Sequence, residues 1–207
     1  NNGATITLQG KSSTGIFGKN GSTVSNAGKI ETKTATPTTT EEGLVGIVLD
    51  NSTGTNESTG VINLGTAHST GMFGEASSTL TNAGKITGAK DIAGIVGIAS
   101  DKSTVTNVSG ATITLQGIKS TGIFGKAGST VTNAGTISFY GPRSIGMYVY
   151  LPSHNSNALM TNTGTITLSG KESYGMKFAA AAATSGTLRA AMINDTNATI
   201  NLQKNTS

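Results

Sequence analysis

The sequence predicts an all-β chain wound as a right-handed parallel β-helix, a β-solenoid of about three strands per coil and seven to eight coils. Three observations predict it: strong internal repetition, period-two alternation inside each repeat, and a composition suited to thin identical layers. Residues 110–137 match residues 3–30 at 23 of 28 positions, and residues 60–86 give a looser copy. Repetition at this period means stacked supersecondary units. Gly stands at 29 of 207 residues, while aromatic residues reach only 4% and charged residues 12%. So few bulky side chains cannot fill one large core, whereas small aliphatic columns repeated coil after coil can be filled.

Each unit opens on an Ile anchor: Ile6, Ile30, Ile62, Ile86, Ile113, Ile137, Ile166 and Ile200. Around it, runs such as Thr5-Ile6-Thr7-Leu8 and Thr112-Ile113-Thr114-Leu115 alternate polar with apolar. Alternation with β-branched residues reads as a half-buried strand. The second strand centres on a Gly followed by Ile or Met, at Gly15, Gly46, Gly71, Gly94, Gly122, Gly146 and Gly175. The third ends on Asn: Asn26, Asn82, Asn107, Asn133, Asn162 and Asn194, with Asn56 a weaker member. Asn tolerates left-handed backbone at tight turns, and stacked amides hydrogen-bond as a ladder, so this set is read as structural. The expected inward columns are the Ile anchors, the residue two after each, the Ile or Met after each Gly, and the aliphatic two before each Asn. Eight Ile rungs at about 4.8 Å make a rod about 34 Å long.

The chain is expected to be a single solenoid fragment over residues 1–207, with insertions near 33–42, 138–157 and 178–190. Phe178 with the run Ala179 to Ala183 offers the one alternative to strand, a helical turn.

Composition removes several function classes. Without Cys, and with His68 and His154 as the only imidazoles, thiol chemistry and a zinc site have few ligands. No cofactor and no metal are expected. A net charge of +4 comes from scattered Lys and Arg, too diffuse for a nucleic-acid footprint. No apolar stretch is long enough for a membrane helix. Carboxylates needed for glycoside cleavage or Ca²⁺ are dispersed, with only Glu41 and Glu42 adjacent. The chain is therefore not expected to be an enzyme.

The column two residues after each Gly reads Phe17, Val48, Phe73, Val96, Phe124, Tyr148 and Lys177. Strict alternation would place it outside as an apolar ladder; a Gly bend would bury both neighbours, and that reading is favoured. The strongest local anomaly is SFYGPRSIGMYVYLPSHNSN at 138–157, where Phe139, Tyr140, Arg143, Tyr148, Tyr150 and His154 are the candidate binding residues. Aromatic platforms beside an Arg suit glycan or protein contacts, against the alternative of a wider coil filled with larger side chains.

The recurring N-x-G-x-I-x-L, S/T-x-G-I/M-F/Y/V and S-T-V-T-N-A-G-x-I pieces resemble the passenger repeats of large monomeric autotransporter adhesins of Gram-negative bacteria, the type V secretion class. The resemblance covers essentially the whole chain. It implies export through the outer membrane, display at the cell surface, and adhesion to a host or bacterial surface protein or glycan, with no catalytic residue carried over. It also implies further solenoid coils at both ends, since solenoids need polar caps. Competing readings are a polysaccharide-acting β-helix enzyme, a phage tail-spike or extracellular filament segment, and an ice-binding solenoid built on the Thr-x-Thr rows.

Overall fold

A computed structural model describes residues 3–32, 43–126, 128–152, 157–181 and 189–203. Among these, twenty-two strands form three parallel sheets of eight, seven and seven strands. The chain visits the sheets in strict rotation, so each strand pairs with the strands three before and three after it. Coil five shows the plan: Thr112–Leu115 lies in sheet A, Thr121–Lys126 in sheet B and Thr130–Asn133 in sheet C. Seven such triplets are followed by an eighth sheet A strand, Thr199–Leu202. The result is a parallel β-helix with the right-handed crossover that parallel strands adopt. No helix long and apolar enough to cross a membrane is present among the described residues.

Register follows the sequence anchors. All eight Ile anchors pair in one continuous column, from Ile6↔Ile30 to Ile166↔Ile200. Parity then turns Ile62, Ile86, Ile113, Ile137 and Ile166 fully inward, each contributing about 1.5–3 kcal/mol. Ile47, Met72, Ile98, Ile123 and Met147 from sheet B and Leu80, Val105, Val131 and Met160 from sheet C complete a dry core.

The glycine column of sheet B has a steric cause. At Gly122 a Cβ would stand 2.5 Å from the Gly146 carbonyl oxygen and 2.7 Å from Ile137 Cγ2. The Ile anchor of each following coil packs onto bare backbone, so a side chain has no room there. Coil two exchanges volumes between sheets: Gly54 replaces the sheet C aliphatic, and Leu49 fills its space, with Leu49 Cδ1 2.7 Å from where a Gly54 Cβ would sit.

Asn26, Asn56, Asn82, Asn107, Asn133, Asn162 and Asn194 form one amide ladder, each Nδ2 donating to the Oδ1 of the next at 2.8 Å. Asn56, the weak member by sequence, is a full rung and is entirely buried.

One expectation changes, and one alternative is removed. The sheet B glycine of coil four is Gly97, not Gly94: Ile98 pairs with Met72 and Ile123, while Gly94 is a corner residue at φ 71°. Phe178 to Ala180 belong to the strand Tyr174–Ala180 and pair with Val149 to Leu151, which excludes a helical turn there. Ala181 follows without helix, and Ala182 and Ala183 lie outside the described residues. Within 138–157, residues 138–139, 145–151 and 157 are strand, and residues 140–144 form the turn between sheets A and B. The Thr-rich stretch 33–42 lies outside the described residues.

Candidate binding surfaces

Outside sheet B, parity gives the reverse of the core. The residue after each inward Ile or Met points outward, and the column reads Phe17, Val48, Phe73, Ala99, Phe124, Tyr148 and Lys177. The favoured reading, both neighbours buried, is thus overturned: Phe17 is 58% exposed, and Val48, Phe73, Phe124 and Tyr148 are half-buried. The glycine sits within the strand and does not end it, so alternation resumes. Ala99 takes the place expected for Val96, which belongs to the neighbouring outward column with Val45, Thr70, Thr121, Ile145 and Tyr174.

Two columns therefore run side by side along the rod, the first apolar from Phe17 to Tyr148 and the second alternating Thr14, Thr70 and Thr121 with Val45, Val96, Ile145 and Tyr174. Phe124 and Tyr148 pack with ring centroids 5.4 Å apart at 50°. Lys177 Nζ lies 5.5 Å from the Tyr148 ring centre and 5.1 Å from that of Tyr174, closing one end with a cation over two π faces. A third outward column carries charge: Lys19 faces Asp50 at 3.5 Å and Lys126 faces Asp101 at 3.3 Å, with Glu75 on the rung after Asp50.

The six residues predicted as one patch separate. Phe139 is 1% exposed and points inward between Leu115 and Leu168, as the volume-filling alternative required. Tyr148 joins the sheet B ladder, and Tyr150 lies beside it in register with Lys126. Tyr140 and Arg143 stand on the corner between sheets A and B, where Arg143 Nε pairs with Glu172 Oε2 at 3.2 Å. His154 lies outside the described residues. Tyr174, exposed at 54%, was missed by the sequence reading; its signal was its place just before the glycine of the repeat, where most coils carry Thr or Val.

Register brings Asp50, Glu75 and Asp101 onto successive rungs, a stack the linear sequence hides. Lysines neutralise its two outer members, and among the described residues no three His, Asp or Glu side chains converge as metal ligands. The Asn ladder faces the core with its amides already paired, so it presents nothing to a ligand.

Searches of curated proteins and of solved structures return no match. The model of one protein family, described as the BigA third pectate lyase-like domain, matches twice, over residues 1–94 and again over 88–207. The two matches meet in coil four and together span the chain, in keeping with its internal duplication, and the chain belongs to the BigA third pectate lyase-like domain family.

Proposed function

We propose that this chain is a non-catalytic, adhesive segment of a bacterial cell-surface or secreted passenger of the autotransporter kind, attaching to host cells or to other bacteria through the outer face of sheet B. One observation carries the reading: Phe17, Val48, Phe73, Phe124 and Tyr148 stack on the outer face of sheet B, exposed or half-buried and interrupted at Ala99, with Val45, Val96, Ile145 and Tyr174 in the column beside them. Exposed apolar strips of this extent mark a partner surface. Membership in a BigA domain family supports a place on the bacterial surface.

The mechanism is mechanical and multivalent. Interlocked coils keep the ladder rigid, so little ordering is lost on contact. Repeated shallow sites on one rod raise the effective concentration of each for the next, and weak contacts sum to firm attachment. Lys19 and Lys126 neutralise the outer members of the acidic stack, Asp50 and Asp101, so the proposed role assigns that stack no catalytic part.

The test replaces Phe73, Phe124 and Tyr148 together with Thr, a residue already tolerated on this face at Thr70 and Thr121. Attachment of the purified chain to epithelial cells and to bacterial cells is expected to fall tenfold or more, with an unchanged urea midpoint. Undiminished attachment by the folded triple variant overturns the assignment of this face.

A further inference from the structure

One corner away from the ladder, the turn between sheets A and B carries a feature the adhesive face does not use. In coils three, five, six and seven this turn is five residues long, as in 116–120 and 140–144; in coil four it is seven, residues 89–95. The longer turn sends Ile92 into the core and leaves Lys90 and Asp91 standing outward, with Asp91 at φ 64°. Beside this wall lies a cleft of about 440 Å³ lined by Lys90, Asp91, Gln116, Ile118, Tyr140 and Pro142. Its floor is backbone: a Cβ at Gly141 would stand 2.9 Å from the Ile118 nitrogen, so no side chain can fill the space.

Two of these residues depart from the repeat against the interest of solubility. Residues 3–30 and 110–137 differ at only five positions, and two adjacent ones fall here, Lys11 becoming Ile118 and Ser12 becoming Lys119. Ile118 is 42% exposed and Tyr140 is 60% exposed, so neither is needed to fill the core. Among the described residues Tyr140 is the one aromatic in a column otherwise made of Gln9, Gly65, Ala89, Gln116, Ser169 and Gln203.

We propose that this cleft is a binding site for a saccharide ring. The exposed face of Tyr140, with Ile118 and Pro142, offers an apolar platform for the C–H face of a pyranose. At its margin Gln116 can both donate and accept, Asp91 accepts and Lys90 donates, which matches a rim of hydroxyl groups. A purely hydrocarbon ligand would desolvate Lys90 and Asp91 without partners, at a cost that disfavours it. The volume lies in the lower part of the range for small-molecule sites and fits a sugar unit better than a folded partner.

The repeat itself supplies variants that must fold: Ile118→Lys restores the residue of coil one, and Tyr140→Gln restores that of coil five. The full chain is screened against immobilised neutral oligosaccharides of glucose, galactose and N-acetylglucosamine and acidic ones of galacturonate and sialic acid. Hits are followed by titration while observing the Gln116 side-chain amide by NMR. Binding of at least one saccharide that shifts the Gln116 amide is expected, weakened tenfold or more by each variant, with Tyr148→Thr without effect. Failure of every saccharide to move that amide at millimolar concentration, or binding indifferent to both variants, overturns the proposal. Cell attachment lost in the sheet B triple variant while saccharide binding persists would separate the two sites.

Discussion

Replacing Asn107 by Ala tests the element that most distinguishes this core from an ordinary apolar one. Asn107 is fully buried; its Oδ1 accepts from Asn82 and its Nδ2 donates to Asn133, both at 2.8 Å. Truncation orphans an amide N–H above and a carbonyl oxygen below, in a region closed to water. Each buried polar group left unpaired costs about 1–3 kcal/mol. Asn82 Nδ2 keeps longer contacts to the carbonyls of Gly84 at 3.4 Å and Thr112 at 3.5 Å, so a total of about 2–4 kcal/mol is expected. Asn26→Ala at the first described rung orphans only Asn56 Oδ1 and is expected to cost about half as much. Urea unfolding gives the global loss, and amide exchange at Asn82, Asn107 and Asn133 localises it, which matters because solenoid coils need not unfold as one unit. A loss under about 1 kcal/mol for Asn107→Ala, or equal losses at the two rungs, would refute the claim that the ladder stabilises the stack through mutual amide pairing.

A carboxyl introduced by Asn107→Asp can serve both neighbours only when protonated. Burial raises its folded-state pKa above the unfolded value near 4, so relative to the parent chain stability is retained below that value and lost as pH rises through the folded pKa. Urea midpoints from pH 3 to 8, referred to the parent chain at each pH, check the sign. Gly122→Ala, which meets the Gly146 carbonyl and Ile137, is expected to cost about 3 kcal/mol or more, at the upper end of overpacking losses. By contrast Gly110→Ala has open space within 4 Å and only a φ of 83° to suffer, a penalty of about 1–2 kcal/mol; thermal melts compare the two. Lys126→Ala breaks an exposed pair whose side chains are 47% and 33% accessible and is expected to shift stability by under about 1 kcal/mol, vanishing in high salt.

Much of this architecture is legible because a parallel solenoid stacks like on like. The Ile column and the Asn column both appear in the linear sequence, since residues one coil apart meet in space. Legibility fails where volume is traded between sheets. Asn56 looked weak because its strand carries Gly54 where others carry an aliphatic, and the compensating Leu49 sits in a different sheet. Gly94 was mistaken for Gly97 because the longer turn of coil four places a second Gly-Ile pair at the usual distance from Ile86. Only the Ile113 methyl resting over the Gly97 position decides between them. Phe139, two after the Ile137 anchor, belongs to an expected inward column and is buried there, which removes it from the group of nearby tyrosines. The acidic stack was invisible, since its members are 25 and 26 residues apart and only register unites them.

The duplicated coils show why such a scaffold can acquire binding sites without losing its fold. Of the five differences between residues 3–30 and 110–137, the four on described residues fall at Ile118, Lys119, Thr132 and Thr136, none of them buried. Every inward position, the glycine under each Ile anchor and the Asn of the ladder are unchanged between the copies. Interior identity is enforced because each side chain must match its neighbours above and below, and a change in one coil strains two others. Outward positions meet only the adjacent rungs and solvent, so a Lys can become an Ile there at little cost to the stack. Stability thus rests on the inward columns, and the outward residues that differ from coil to coil are free to take on the proposed binding. That separation is what allows Tyr140 and Ile118 to be exchanged for the residues of neighbouring coils as a test of binding alone.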